Sequence, residues 1–358
     1  MQREPVGLTV LIPCFNEARI LPETVRQLQA YLKSCSVQLK GKSLTWEILF
    51  IDDGSADDSR AVLEALSTEH QDVRYISYPR NGGQGHALRT GFANAQGDWI
   101  FCVDADLDYG PEHIEKFFSV ADKTAADIVV GSPYMPGGTA VGVPMARLFM
   151  SKSMNWYFSN ILDLKIHTYT SILRLYRREA IQGILLTTRD KDVLPEILIK
   201  ANLLGLGLVE APAHLKWKAQ IATPSRSGGG VLRTAGKAVR HFLWGAHENP
   251  LAFFAVPAII VAMGVLWFGA ATSTLVWDAY RQTTTSSLQA LTQAASHVVL
   301  TNPQTVLIFA LFLHAALMLF TVSLVTLQNK MKSEQDFIYF SQISSALNAI
   351  RQKTDKPE

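Results

Sequence analysis

The sequence predicts an α/β domain on a mostly parallel, doubly wound sheet, followed by two membrane-spanning helices. Three observations carry this. Short apolar runs alternate with amphipathic ones in the order strand, helix, strand, helix. Each apolar run ends in a polar or acidic cluster. Residues 251–277 and 305–328 contain no Asp, Glu, Lys or Arg, and each is long enough to cross a hydrocarbon core, which takes roughly 20 helical residues.

The first strand is expected over Leu8–Pro13, leading through Cys14-Phe15-Asn16-Glu17 into an amphipathic helix over Leu21–Leu32. A second strand, Trp46–Ile51, ends in Asp52-Asp53-Gly54-Ser55 and is followed by Asp57-Asp58-Ser59 and a helix through Leu66. The third, Val73–Ser77, runs into Asn81-Gly82-Gly83-Gln84-Gly85. The fourth, Trp99–Val103, ends in Asp104-Ala105-Asp106-Leu107 before a Gly110-Pro111 turn.

The pair Asp104 and Asp106 is the most telling feature. Carboxylates at the mouth of an apolar strand are costly to keep charged and close unless a cation or hydrogen bonds share their charge. A hard divalent ion that bridges a diphosphate is the natural partner. Alone, the pair also admits the lesser reading of a solvated acidic turn, and Asp52-Asp53-Gly54-Ser55 that of a turn and helix cap. Placed together they say more, because ligands of doubly wound sheets bind beyond the carboxyl ends of the strands. Asn16, Glu17, Asp52, Asp53, the Gly82-Gly83 loop, Asp104 and Asp106 all fall at that edge. The glycine loop lacks the Gly-Lys-Ser/Thr ending of a P-loop and follows the third strand, which argues against a nucleotide hydrolase.

The motifs Pro13-Cys14-Phe15-Asn16-Glu17, Asp52-Asp53-Gly54-Ser55, Asn81-Gly82-Gly83-Gln84-Gly85 and Asp104-Ala105-Asp106-Leu107 closely resemble, in order, those of family 2 glycosyltransferases of the GT-A fold. The likeness runs from about Leu8 to about Ser227. Within the family it is similar to the polyprenyl-phosphate branch, typified by dolichyl-phosphate mannose synthase. The resemblance implies inverting, metal-dependent transfer of a sugar from a UDP- or GDP-linked donor to a polyprenyl phosphate. It implies that Pro13, Glu17 and Asp53 hold the nucleoside, with Asn16, Asp52, Gly83 and Ala105 beside them. Asp104 and Asp106 would hold Mg²⁺ or Mn²⁺ and the diphosphate, Asp106 being the better direct metal ligand. Positive charge near the two anions falls to Arg147, Arg174, Lys216, Lys218 and Arg226. Of these, Arg147, Lys216, Lys218 and Arg226 are candidates for the acceptor phosphate, and Arg147 and Arg174 join the acidic pair as catalytic candidates. The sequence departs from the branch at Pro133-Tyr134, where arginine is usual, and at Thr170-Ser171-Ile172-Leu173-Arg174, where relatives read Ser-Gly-Phe-Arg.

Domain expectations follow: a catalytic domain over 1–227, a basic amphipathic juxtamembrane segment over 228–248, a two-helix transmembrane hairpin over 249–328, and a helical tail over 329–358. The stretch between the spans has one basic residue, Arg281, while both outer flanks are rich in Lys and Arg, so the catalytic domain and tail are expected on the cytoplasmic side of a bacterial plasma membrane. No secretory leader is expected before Leu8. The segment Met145–Leu164, with Met145, Phe149, Trp156, Arg147 and Lys152, reads either as a membrane-touching or as a core helix. The tail is expected to dock on a second copy, giving a homo-oligomer, or on its own domain. Three cysteines without metal-ligand spacing fit a reducing compartment, and no nucleic acid is expected among the partners. Two other readings remain at this point. One is transfer to another lipid or glycan acceptor. The other is a non-catalytic membrane scaffold, which the presence of Asp53, Asp104 and Asp106 disfavours.

Overall fold

In a computed structural model, the structure describes residues 7–34, 38–39, 42–43, 45–162, 164–218, 250–283 and 288–354. The juxtamembrane segment 228–248 and Arg226 lie outside them. The strands are β1 Leu8–Cys14, β2 Gln38–Leu39, β3 Lys42–Ser43, β4 Trp46–Asp52, β5 Val73–Ser77, β6 Trp99–Cys102, β7 Ile128–Ser132, β8 Thr139–Val141, β9 Arg174–Arg177, β10 Leu208–Pro212 and β11 His214–Lys216. The seven-stranded sheet runs β10-β7-β9-β6-β1-β4-β5, parallel except for β9, which pairs antiparallel with both neighbours. This is the predicted α/β class.

The helices of the first 225 residues are α1 Leu21–Ser34, α2 Ser59–Glu69, α3 Gln84–Asn94, α4 His113–Thr124, α5 Met145–Ile161, α6 Arg178–Gln182 and α7 Val193–Leu203. Their apolar stripes explain their placement. On α4, Ile114, Phe117, Phe118 and Ala121 recur at helical spacing and all are buried; fully burying Phe117 contributes about 2–3 kcal/mol. The central strands are apolar on both faces because helices cover both.

The chain leaves β1 for β4 and β5, then returns to the other side of β1 to form β6, so the crossover direction reverses between β1 and β6. Pairing there ends at Leu11 and Cys102. The Leu11 carbonyl accepts the Val103 N–H and the Cys14 carbonyl accepts that of Asp53, so Pro13 faces the β6 side. Lacking an N–H, it cannot extend that ladder. The two strands therefore part, and their following loops open a crevice.

The opposite end of the sheet is closed by Glu47. Its Oε1 accepts the Thr9 hydroxyl at 2.7 Å and the Gln96 N–H at 2.8 Å, and its Oε2 accepts Arg74 at 2.6 Å. Thr9 in turn accepts the Gly97 N–H at 2.8 Å.

The chain divides into two compact units, one of residues 1–225 with 335–358 and one of 226–334. In the second unit, α8 Pro250–Arg281 and the first part of α10 Pro303–Thr354 carry the two candidate spans, with mean hydropathy 2.0 and 2.4 over an 18-residue stretch of Pro257–Arg281 and of Pro303–Ser341. Phe312 stacks on Phe268 with centroids 5.7 Å apart. Gly264 has no room for a Cβ against that ring, a close approach typical of apolar helix pairs. Between them, α9 Leu288–Thr301 buries Ala290, Ala294 and Val298, four residues apart. The end of α10 from Gln335 belongs to the first unit.

Glu47→Ala should lower the unfolding free energy by about 3 kcal/mol, because it strands the Arg74 charge and the Thr9 and Gln96 donors. Urea denaturation of the full chain in detergent checks this.

Candidate active site

Four loops build the crevice, and side chains tie them together. Asn16 adopts φ 59°, a left-handed conformation that asparagine tolerates. Its N–H donates to the Ser55 hydroxyl at 2.8 Å, and its Oδ1 accepts the Ala56 N–H at 2.7 Å. The Glu17 N–H donates to the Ser59 hydroxyl at 2.9 Å. The loops after β1 and β4 are thereby one body. Asp52 is buried and committed to this body: it accepts the Ser55 N–H at 3.1 Å and the Ser77 hydroxyl at 2.6 Å.

Asp53 performs the same task for the glycine loop. Its Oδ1 accepts the Gly82 N–H at 2.8 Å, and its Oδ2 accepts the Gly83 N–H and the Asn81 amide, both at 2.9 Å. Burial raises its pKa, and the two glycine N–H groups work against that rise. Gly83 has φ 90°, and a Cβ there would lie 2.5 Å from the Arg189 carbonyl oxygen. Glycine is required on both counts. The Gly82 and Gly83 N–H groups thus point at a carboxylate.

The loop after β6 carries the acidic pair. Ala105 is buried, with its carbonyl accepting the Thr24 hydroxyl at 2.6 Å. Leu107, buried at φ 48°, is a strained turn for a residue with a Cβ. Asp104 and Asp106, ahead of this turn, lie near enough to Glu17 to act on its charge. The charges crowd: burial, then Asp104 and Asp106, raise Glu17 to about 8, and one of its oxygens is buried without a hydrogen-bond partner. Burial, then Asp106, raise Asp104 to about 7, with Lys191 opposing the rise.

Cations approach from the other side. The Lys218 N–H donates to Asp108 Oδ1 and its Nζ to the Asp106 carbonyl, both at 3.0 Å. The Lys216 N–H donates to the Asp108 carbonyl at 2.9 Å, while its side chain is exposed. The Arg147 guanidinium lies 4.3 Å from the centre of the Trp217 ring, a cation–π contact that fixes it near this loop. His113 locks the base of the assembly, with Nδ1 on the Gly110 carbonyl at 2.8 Å and Nε2 accepting the His214 N–H at 2.9 Å.

Arg174 sits elsewhere. It is fully buried in β9, donating to the Leu194 carbonyl at 2.8 Å and the Tyr169 carbonyl at 2.7 Å, where it joins two segments behind the crevice. Pro13 is half-buried at the end of β1. Lys191 escaped the sequence reading because it lies in a mixed-charge run, Arg189-Asp190-Lys191-Asp192, with no periodic signal. Exposed apolar residues of α5, Met145, Phe149, Met150 and Trp156, flank Arg147.

Among the described residues no group of three His, Cys, Asp or Glu side chains forms a ready-made metal cage. The donor set nonetheless fits a hard cation. Glu17, Asp104 and Asp106 offer only oxygens, one of them orphaned, and Mg²⁺ or Mn²⁺ is commonly held by one or two carboxylates together with substrate phosphates.

Residues 9–185 match the glycosyl transferase family 2 profile, so the chain carries a glycosyltransferase family 2 domain. It is 34% identical over 212 residues to the undecaprenyl-phosphate 4-deoxy-4-formamido-L-arabinose transferases of Salmonella paratyphi A and Salmonella dublin, a match that covers 58% of this chain. The chain spans 59% of the length of these relatives. Among solved structures, glucosyl-3-phosphoglycerate synthase from Mycobacterium tuberculosis, in complex with Mn²⁺, UDP and phosphoglyceric acid, is 16% identical with a TM-score of 0.45, covering 59% of this chain and 69% of that one. Residues 1–349 of S. aureus TarS are 20% identical with a TM-score of 0.38, covering 60% and 59%.

The raised Glu17 and Asp104 bind protons more tightly in the folded state than in the unfolded chain. Their contribution to stability is therefore present below about pH 4 and lost as pH rises through about 7 to 8. Metal-free protein should melt progressively lower between pH 5 and 8.5. Adding Mn²⁺ should raise the melting temperature more at pH 8.5 than at pH 5. Differential scanning fluorimetry on both sides of this window checks the sign.

Proposed function

We propose that this protein transfers a sugar from a UDP- or GDP-linked donor to a polyprenyl phosphate at the cytoplasmic face of a membrane, with inversion at the anomeric carbon. The observation that carries the reading is the like-charge crowding of Glu17, Asp104 and Asp106 at the switch point, with Lys218 and Arg147 beside it. A site of this kind suits a divalent cation and a diphosphate on one side and a second anion on the other. The transferase names of the relatives support the acceptor class.

The proposed catalytic unit corresponds to residues 1–227, tethered through 228–248 to the hairpin of 249–328. Asp106 and Asp104 would hold Mg²⁺ or Mn²⁺, with Glu17 close by. The ion's contribution would be to stabilise charge on the departing nucleoside diphosphate. Asp53 shapes the glycine loop around the nucleoside, and Pro13, Asn16, Asp52, Gly83 and Ala105 set the walls. Arg147, Lys216 and Lys218, with Arg226 beyond the described residues, orient the acceptor phosphate. Arg174 supports the reaction by fixing the segments of Tyr169 and Leu194.

A phosphate monoester has a second pKa near 6 and is largely dianionic at neutral pH. It therefore needs no protein base to attack. One of its oxygens forms a bond to the anomeric carbon as the bond from that carbon to the diphosphate oxygen breaks on the opposite face. An α-linked donor gives a β-linked lipid phosphosugar. The uncharged stretches 251–277 and 305–328 and the exposed apolar residues of α5 suit a protein whose acceptor resides in lipid.

Purified protein in detergent, a short polyprenyl phosphate, Mn²⁺ and a panel of UDP- and GDP-sugars should yield a labile lipid phosphosugar. Asp106→Asn should reduce turnover by on the order of 10²–10³-fold. Nucleotide release without lipid product would point to another acceptor. Neither product nor donor binding would remove the enzymatic reading.

Arg147→Ala should raise the KM for polyprenyl phosphate about tenfold and leave the donor KM within about twofold, as for loss of one charge-assisted contact. Initial rates with each substrate varied in turn check it.

A further inference from the structure

The glycine loop is closed from outside by residues 187–192, between α6 and α7. The Gly85 N–H donates to the Arg189 carbonyl at 2.6 Å, and Arg89 donates to that of Thr188. A Cβ on Gly85 would fall on the Thr188 carbonyl oxygen, so the two segments meet backbone to backbone.

Glu196 on α7 grips this segment. Its Oε1 accepts the Thr187 N–H at 2.8 Å and hydroxyl at 2.7 Å, and its Oε2 accepts the Thr188 N–H at 3.1 Å and the Thr188 hydroxyl. Lys200, one turn on, donates to Glu196 Oε1 and to the Leu185 carbonyl, both at 2.6 Å. Lys200 is only 16% exposed, because the Phe337 ring covers its ammonium with the centroid 4.8 Å away. One turn beyond Phe337, buried Ser341 donates to the Gly183 carbonyl at 3.1 Å.

Phe337 and Ser341 therefore share one face of the C-terminal helix. That face is seated on the turn after α6 and on α7. Contacts pass without interruption from the tail through Lys200, Glu196 and residues 187–189 to Gly85 and Asp53.

We propose that Phe337 and Ser341 of the C-terminal helix are positioning residues for the donor site, holding residues 187–192 against the glycine loop. The inference rests on the reading of Asp53 and the glycine loop as the donor pocket. Lys200 is the hinge of the arrangement. An ammonium has three N–H groups; two go to Glu196 and the Leu185 carbonyl, and the aromatic face shields what remains from water. With the ring gone, water competes for Lys200 and loosens the Glu196 anchor. The same segment brings Lys191 toward Asp104, so its displacement reaches the acidic pair.

Hydrogen exchange on the full chain in detergent tests this without any assumption about the acceptor. In Phe337→Ala/Ser341→Ala, the Gly85, His86, Thr187 and Thr188 amides should exchange at least tenfold faster, with those of α4 and β7 unchanged. Affinity for UDP or GDP with Mn²⁺ should fall about fivefold to tenfold while the polyprenyl-phosphate KM stays constant. Phe337→Leu, which keeps apolar bulk without a π face, should give an intermediate effect. Unchanged glycine-loop exchange in a variant whose residues 335–354 exchange freely would overturn the proposal, as would free exchange of those residues in the unaltered chain. Acceleration throughout the catalytic unit would also overturn it, showing a general scaffold role. Failure of the unaltered chain to transfer sugar would count against the functional reading and leave the exchange result standing.

Discussion

Like charges brought together at the mouth of the sheet set the terms for the rest of this molecule. Glu17 comes from the loop after β1, and Asp104 and Asp106 from the loop after β6, where Pro13 and the reversal of crossover direction part the two strands. Glu17 and Asp104 give up water and meet other negative charge, which is why their protons are held tightly. A fold gains nothing in stability from such an arrangement unless a cation enters it. The crowding therefore belongs to binding, and the surrounding architecture holds the carboxylates in place against their repulsion.

The other acids of the region show the contrast. Asp52, Asp53 and Asp57 spend their oxygens on N–H and hydroxyl donors of neighbouring loops, and Asp108 takes the Lys218 N–H. These carboxylates act as loop builders. Basic groups divide in the same way: Arg174 is sealed among backbone carbonyls, Lys200 ties α7 to the tail, and Arg147 and Lys218 flank the acidic loop. Residue type alone does not separate these roles; the partners of each side chain do.

Much of this was legible in the sequence because it rests on local rules. Val73–Ser77 matches its predicted strand, Leu8–Pro13 and Trp46–Ile51 each gained one residue, and the polar clusters at strand ends fall at one edge of the sheet. What sequence could not convey depends on distant partners. The role of Asp52 in joining Ser55 to Ser77 needs the β4–β5 pairing. Arg174 read as one of several cations until Tyr169 and Leu194 were seen to enclose it. Lys191 reaches the acidic pair only because α7 and the glycine loop fold its segment inward. Helix α9 carries only a faint signal, the spacing of Ala290, Ala294 and Val298 in the stretch between the spans.

The most direct measurement is the proton balance of metal and nucleotide binding, from calorimetric titration of Mn²⁺ with UDP or GDP at pH 7 in buffers of differing ionisation enthalpy. The account predicts net proton release as the cation displaces protons from Glu17 and Asp104, and loss of much of that release in Glu17→Gln. Tight binding with no proton release in either protein would contradict it, showing that the carboxylates are already ionised and that their crowding does not govern the site.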